Sequence, residues 1–233
     1  MKFTNESCFD LLRTVESNSV DLVLIDPPYL ISRDTGFESG NNPDYDRLKV
    51  SMDFGKWDHR LDGFDQAIHE CYRVLRKGGT FICFYDLWKI TELAQTMEAA
   101  KFKQHRFLEW VKTNPVPLNQ SVNYLTNARE IALLGVKGGK PTFNGKYDNG
   151  IYNYPIEHSK GRFHPTQKNL QLIKDLIIKH SNEGDTVLDC FAGSCTTGAA
   201  ALSLNRDFIG CELDTNCFKK ASKRLDAVQG ALV

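Results

Sequence analysis

Asp26-Pro27-Pro28-Tyr29 and Asp189-Cys190-Phe191-Ala192-Gly193-Ser194-Cys195-Thr196-Thr197-Gly198 hold the groups of this chain best suited to chemistry. The first stretch joins a carboxylate, a backbone stiffened by two prolines, and an aromatic face. An exocyclic amine on a purine or pyrimidine ring is a poor nucleophile because its lone pair is delocalised. A carboxylate and fixed carbonyls that accept its hydrogens draw the nitrogen toward tetrahedral geometry and free the lone pair for a methyl donor. Such a site works by positioning and electrostatics, without a covalent intermediate. Tyr29 offers a stacking face for a base extruded from a duplex. Taken alone, the same tetrapeptide also fits a Pro-Pro turn with a packing tyrosine.

The second stretch is a glycine-containing turn between a strand and a helix. Gly193 permits tight backbone geometry near a ligand. Glu212 follows Asp189 by 23 residues, an offset suited to a hydrogen bond with ribose hydroxyls. Neither a Gly-x-Gly-x-x-Gly turn nor a Gly-Lys-Ser/Thr loop is present, which disfavours dinucleotides and nucleoside phosphates. A cofactor with one nucleoside and no phosphate, such as S-adenosyl-L-methionine, fits better. On its own the turn is more often a ligand-free strand–helix connection.

Elements that must position these groups are legible. Val20–Ile25 is short, apolar and β-branched, as in buried parallel strands, and the prolines stop it so that Asp26 stands at its carboxyl edge. Residues 30–60 are polar and too long for a plain connection, which points to function; the 53–58 stretch is expected to close over a flipped base. Helical spacing runs from Asp62 to Arg76, with a stop at Lys77-Gly78-Gly79. Strands are expected at 80–85, 105–111, 130–136, 185–190 and 207–211. Helices are expected from 86 to 100, 166 to 180, 196 to 204 and 215 to 228. This alternation implies a mostly parallel sheet with helices on both faces, in a single domain spanning 1–233.

Composition sets the outer bounds. Net charge is zero, with 29 basic and 29 acidic residues, but it is unevenly spread. Residues 101–168 carry 11 Lys/Arg against 4 Asp/Glu, whereas residues 1–62 carry 7 against 12. A polyanion would therefore meet the basic middle. Seven scattered cysteines without a Cys-x-x-Cys pair argue for reduced thiols and against structural zinc. No bilayer-length apolar run or signal-peptide pattern occurs, so a cytoplasmic protein is expected.

Taken jointly, the motifs resemble those of the amino-methylating DNA methyltransferases. Their order is that of the β class, with the catalytic motif first and the cofactor motif last. Ser19–Tyr29 is similar to the family's catalytic strand, Trp110–Pro117 with Asn127–Glu130 to its middle section, and Phe163–Lys168 to a segment that holds the methionine end of the cofactor. The resemblance implies a circularly permuted Rossmann-like fold and S-adenosyl-L-methionine as donor. It implies Asp26, Pro27, Pro28 and Tyr29 as catalytic residues. Cofactor contacts would come from Ser7, Cys8, Asp26, His164, Thr166, Gln167, Lys168, Asp189, Phe191, Ala192, Gly193, Ser194, Thr196, Thr197, Glu212 and Leu213.

Residues 112–163 would form the target-recognition region on double-stranded DNA. Asn114, Asn119, Gln120 and Asn123 are candidates for base edges, and Lys137, Lys140, Lys146, Lys160 and Arg162 for phosphates. Arg33, Lys112 and Arg129 complete the DNA-binding set. Aspartate at 26 is similar to adenine-N6 enzymes, whereas cytosine-N4 enzymes more often carry serine. Cytosine-N4 methylation and a catalytically silent DNA-binding subunit are the alternatives. Homodimerisation, a cognate restriction endonuclease and a bacterial or phage-infected cytoplasm are the family's expectations. Cys190 and Cys195 stand where the family has Pro and Gly, and cysteine at 195 resists a left-handed backbone. Glu6-Ser7 stands in place of the family's Gly-Asp.

Overall fold

The computed structural model describes residues 1–28, 63–115, 125–157 and 167–231. Met1–Pro27 with Asp65–Val233 form one compact unit. Pro28–Phe64 count as a second, of which only Pro28, Gly63 and Phe64 are described. No described helix is long and apolar enough to cross a membrane.

The described residues form a sheet of eight strands: β1 (Lys2–Thr4), β2 (Val20–Ile25), β3 (Leu75–Tyr85), β4 (Lys103–Lys112), β5 (Arg129–Val136), β6 (Ile151–Tyr154), β7 (Thr186–Asp189) and β8 (Asp207–Cys211). Their spatial order is β1-β8-β7-β2-β3-β5-β4-β6. Among the described strands only β5 runs antiparallel to its neighbours. The helices are α1 (Cys8–Thr14), α2 (Phe64–Val74), α3 (Ile90–Ala99), α4 (Leu170–His180), α5 (Thr196–Ser203) and α6 (Thr215–Gly230).

Chain direction explains the layers. From β2 the chain passes through α2 to β3 on one side, and from β7 through α5 to β8 on the other. Right-handed crossovers in opposite directions put α2 and α5 on opposite faces. The strand order therefore reverses between β2 and β7, and the crevice at their carboxyl ends is where such sheets bind ligands. The central strands are apolar along their length: Leu22, Val23, Leu24, Ile25, Phe81, Ile82, Val187 and Leu188 are at most 1% exposed. Each buried side chain of this kind contributes roughly 1.5–3 kcal/mol relative to exposure.

Three differences from the sequence reading have local causes. The helix expected to Arg76 ends at Val74, and β3 begins at Leu75. Val20 pairs with Leu75 but Leu22 with Thr80, so the glycine pair forms an irregularity within β3. Gly78 takes φ +81 there, and a Cβ on it would meet the Lys140 carbonyl oxygen at 2.4 Å. The helix expected from Thr166 starts at Leu170, because Asn169 caps it by accepting from the Gln171 and Leu172 amides. Strand β6 lies inside the expected target-recognition region, where no strand was expected. Among the described residues it gains its ladder by pairing with β4, a contact between segments some 40 residues apart.

Candidate active site

Loop ends gather at the carboxyl edge of the sheet. Asp26 follows β2, and Asp189 ends β7, whose Val187 and Leu188 pair with Leu22 and Val23. The two acidic residues thus stand at the ends of adjacent strands, close enough to feel each other's charge, where the strand order reverses. Glu212 follows β8, and Ser7 and Cys8 follow β1 beyond it. On the other side, β5 enters the same edge with Arg129 and Glu130 because it runs backwards. Lys112 ends β4 beside them.

A line of alternating charge crosses this edge. Lys168 Nζ lies 2.5 Å from Asp26 Oδ2 and 2.9 Å from Glu130 Oε2. Glu130 Oε1 in turn lies 2.8 Å from Lys112 Nζ. Burial pushes the Glu130 carboxyl up, but the charges of Lys168 and Lys112 outweigh it and hold the group below its usual range. Lys168 shows the complementary balance. Burial opposes its charge, yet Asp26 and Glu130 raise its affinity for the proton. Its side chain is 8% exposed and its ammonium sits 5.1 Å from the centre of the Phe84 ring.

The turn after β7 is tightly specified. Asp189 Oδ1 accepts from the Phe191 amide, and Ala192 N donates to the Cys211 carbonyl. Gly193 takes φ +51, and its amide donates to Glu212 Oε2 at 2.7 Å. Cys195 caps α5 in the left-handed conformation, φ 55 and ψ 42, the backbone that its side chain was expected to resist. Surrounding bonds hold it there. Cys195 N donates to the Ala192 carbonyl, and Arg224 Nη1 donates to the Ser194 carbonyl and Thr196 Oγ1 at 3.0 and 3.1 Å. A Cβ on Gly198 would lie 2.6 Å from Cys195 Sγ, so glycine at 198 makes room for cysteine at 195.

Electrostatics in the turn follow burial. The Asp189 carboxyl is pushed up to about 7, chiefly by burial, with Asp26 and Glu212 adding like charge. Burial also raises Glu212. Gln167 Oε1 is buried without a hydrogen-bond partner among the described residues. It is an acceptor that an ammonium or amide donor would satisfy. Leu213 is 69% exposed beside Glu212, an apolar surface suited to a flat base. Charge, apolar cover and an orphaned acceptor together fit a nucleoside that carries an amino-acid end.

The sequence-predicted residues separate into groups. Asp26, Lys168, Asp189, Phe191, Ala192, Gly193, Ser194, Glu212 and Leu213 belong to the strand ends and loops of this edge, and Thr196 and Thr197 to the first turn of α5. Ser7 is engaged as the cap of α1, bonded to Asp10, and Cys8 is buried behind it. Lys112 is committed to Glu130. Asn114 Oδ1 accepts from the Ile156 amide, which ties the end of β4 to the segment after β6. Arg129 faces Glu109 at 3.4 Å with 70% of its side chain exposed, and Lys146 is exposed.

Lys137 lies elsewhere. It follows β5 at the opposite edge and donates to Asn18 Oδ1 and the Arg73 carbonyl. Tyr29, Arg33, 53–58, Asn119, Gln120, Asn123, Lys160, Arg162, His164 and Thr166 lie outside the described residues. Sequence reasoning gave no role to Glu130, visible only as an acid opening an apolar strand, or to Arg224, which looks like any basic residue on an amphipathic helix.

Comparison with known proteins bears on this arrangement. The N6/N4 DNA methylase family model matches residues 20–223. The Type II methyltransferase M2.DpnII of Streptococcus pneumoniae is 32% identical over 97% of this chain and 90% of its own length. The DNA adenine methyltransferase YhdJ of Escherichia coli (strain K12) is 28% identical over 92% of this chain and 79% of its own. A crystal structure of an M1.HpyAVI–SAM complex superposes with a TM-score of 0.71 at 29% identity, covering 96% of this chain and 99% of that one.

Proposed function

The chain belongs to the N6/N4 DNA methylase family, and from that membership we propose that it methylates the exocyclic N6 of adenine in double-stranded DNA. The donor is S-adenosyl-L-methionine, as in the related M1.HpyAVI complex. The carrying observation is the adjacency of the Asp26 strand end and the Asp189–Thr197 turn where the strand order reverses. Aspartate at 26 and the adenine-methylating relative support adenine over cytosine.

When bound, S-adenosylmethionine supplies an electrophilic methyl group. Glu212 would hold the ribose hydroxyls, Leu213 and Phe191 the adenine, and Gln167 with His164 and Thr166 the amino-acid end. Asp26 and the backbone carbonyls of Pro27 and Pro28 accept the hydrogens of the substrate amine. Withdrawing those hydrogens from the ring plane localises the nitrogen lone pair and aligns it for attack. The nitrogen gains a positive charge as the new bond forms, and the Asp26 carboxylate stabilises it and takes the shed proton. Tyr29 stacks on the extruded base.

Arg33, Asn123, Arg129, Lys146, Lys160 and Arg162 form the DNA-facing set of this reading, as phosphate and base-edge contacts, whereas Asn114 is spent on the Ile156 backbone. Relatedness to Type II enzymes supports a cytoplasmic bacterial setting with a cognate restriction endonuclease. A homodimer is the expected assembly, which light scattering measures directly.

The test is incubation of unmodified duplex DNA with the protein and methyl-labelled S-adenosylmethionine, followed by nucleoside mass spectrometry. N6-methyladenine is the expected product. N4-methylcytosine would reassign the acceptor, and an unmodified duplex would remove the reading.

A further inference from the structure

We propose that Glu130 is a positioning residue: it sets how strongly Lys168 holds Asp26 and so tunes Asp26 as acceptor of the substrate amine's proton. This rests on the adenine-methylation reading and goes beyond it.

Four charges alternate in the order Asp26, Lys168, Glu130, Lys112. They come from the end of β2, the residue before the α4 cap, the start of β5 and the end of β4. A lysine paired with Asp26 alone would neutralise the carboxylate that must attract the amine's hydrogens. Lys168 instead stands between two carboxylates, at 2.5 and 2.9 Å. Its field is divided, so Asp26 keeps acceptor strength while one of its oxygens stays anchored. Lys112 balances Glu130 from the far side and limits how far Glu130 draws Lys168 away. In the buried setting of Lys168, such charges are poorly screened and each change is felt along the line.

Other groups also face this line. Asp189 of β7 and the Cys83 thiol of β3 interact with Asp26, and burial keeps Cys83 protonated. Neither is altered by substitutions at 130 or 112, so differences between variants report the line itself.

The geometry makes a sign-alternating prediction. Glu130→Gln removes one of the two carboxylates that divide Lys168, so its hold on Asp26 strengthens and the acidic limb of the rate–pH profile moves to lower pH, by about one unit. The maximal rate falls on the order of 10–100-fold as the acceptor weakens and loses alignment. Lys112→Met frees Glu130 to draw Lys168 from Asp26, so the limb moves to higher pH. Glu130→Asp retains the charge and recovers part of the wild-type rate. KM for S-adenosylmethionine stays within about twofold in each variant, because these residues act on the acceptor side.

The experiment is single-turnover methyl transfer against pH for wild type and the three variants, with cofactor affinity by calorimetry as the folding control. Opposite limb shifts at unchanged cofactor affinity establish the role. Limbs that coincide with wild type, or that move in the same direction, overturn it and leave the function reading intact. Wild-type protein that transfers no methyl group overturns that reading, and this inference with it. Should Glu130→Gln fail to fold, the Lys112→Met limb decides, and the absence of an upward shift overturns the proposal.

Discussion

Lys168 Nζ and Asp26 Oδ2 meet at 2.5 Å across 142 residues of sequence. The pair ties the strand end before the two prolines to the segment that leads into α4. A carboxylate fixed in this way presents a defined direction to a substrate amine. Freed of its partner, it would sample rotamers and lose effective concentration.

Asp26→Ala abolishes methyl transfer and leaves the dissociation constant for S-adenosylmethionine within a few-fold of wild type. The turn residues that would bind the cofactor's nucleoside hang from β7 and β8, not from Asp26. Filter assays for transfer and calorimetry for binding separate the two effects. Retained turnover would remove Asp26 from the mechanism.

Gly198→Ala destabilises the fold by about 1–3 kcal/mol, the usual range for overpacking. The added methyl would sit 2.6 Å from Cys195 Sγ and 2.7 Å from Phe208 Cε1. In a Cys195→Gly background part of that cost disappears, because the sulfur that the new methyl would meet is gone. The Phe208 contact keeps the rest. Denaturant titration of the double-mutant cycle should give a coupling above roughly 0.5 kcal/mol; simple additivity would mean that the two positions do not share space.

Arg224→Met weakens cofactor binding about tenfold, the scale for losing charged hydrogen bonds to the Ser194 carbonyl and Thr196 hydroxyl. Melting temperature should fall modestly as well, since the Ser194 carbonyl and the strained turn lose a partner while α6 keeps its buried Ala221 and Leu225. An unchanged affinity would show that the turn holds its shape without this clamp.

Asp189 and His180 make opposite contributions to stability between about pH 4 and 7. Asp189 rises from 3.8 to about 7 on folding, so its contribution is full below 3.8 and is lost as pH climbs through 7. His180 falls from 6.5 to about 4, mainly through burial, so its contribution is present above 6.5 and lost as pH falls through 4. Across this window Asp189→Asn therefore gains stability relative to wild type as pH rises, and His180→Gln loses it. Melting curves from pH 4.5 to 7.5 measure both slopes; parallel curves for all three proteins would contradict the assignment.

The strands were legible because their apolar β-branched runs end at unmistakable stops, Pro27 after Ile25 and the Asp189 turn after Leu188. The edge strand β6 was not. Ile151-Tyr-Asn-Tyr154 lacks a stable identity until β4 offers its ladder and helix α4 anchors the segment, with Lys179 on Asp148 at 2.6 Å and Tyr154 bonded to Asp175. Lys137 shows the converse. Its place in a basic segment suggested phosphate contact, yet the reversed direction of β5 carries it to the far edge of the sheet.

The sequence by itself determined the parallel α/β class, the order of catalytic and cofactor motifs, and Asp26 and Asp189 as residues at strand ends. These follow from local rules: where proline stops a strand, where glycine allows a turn, where apolar residues repeat. Tertiary structure alone decided that Asp26 would share Lys168 with Glu130, and that Lys112 would balance that pair instead of standing free. Strand direction is the reason. One antiparallel strand among parallel neighbours brings the start of β5 to the edge where the other strands end, and no local pattern in Arg129-Glu130-Ile131 encodes which way its partners run.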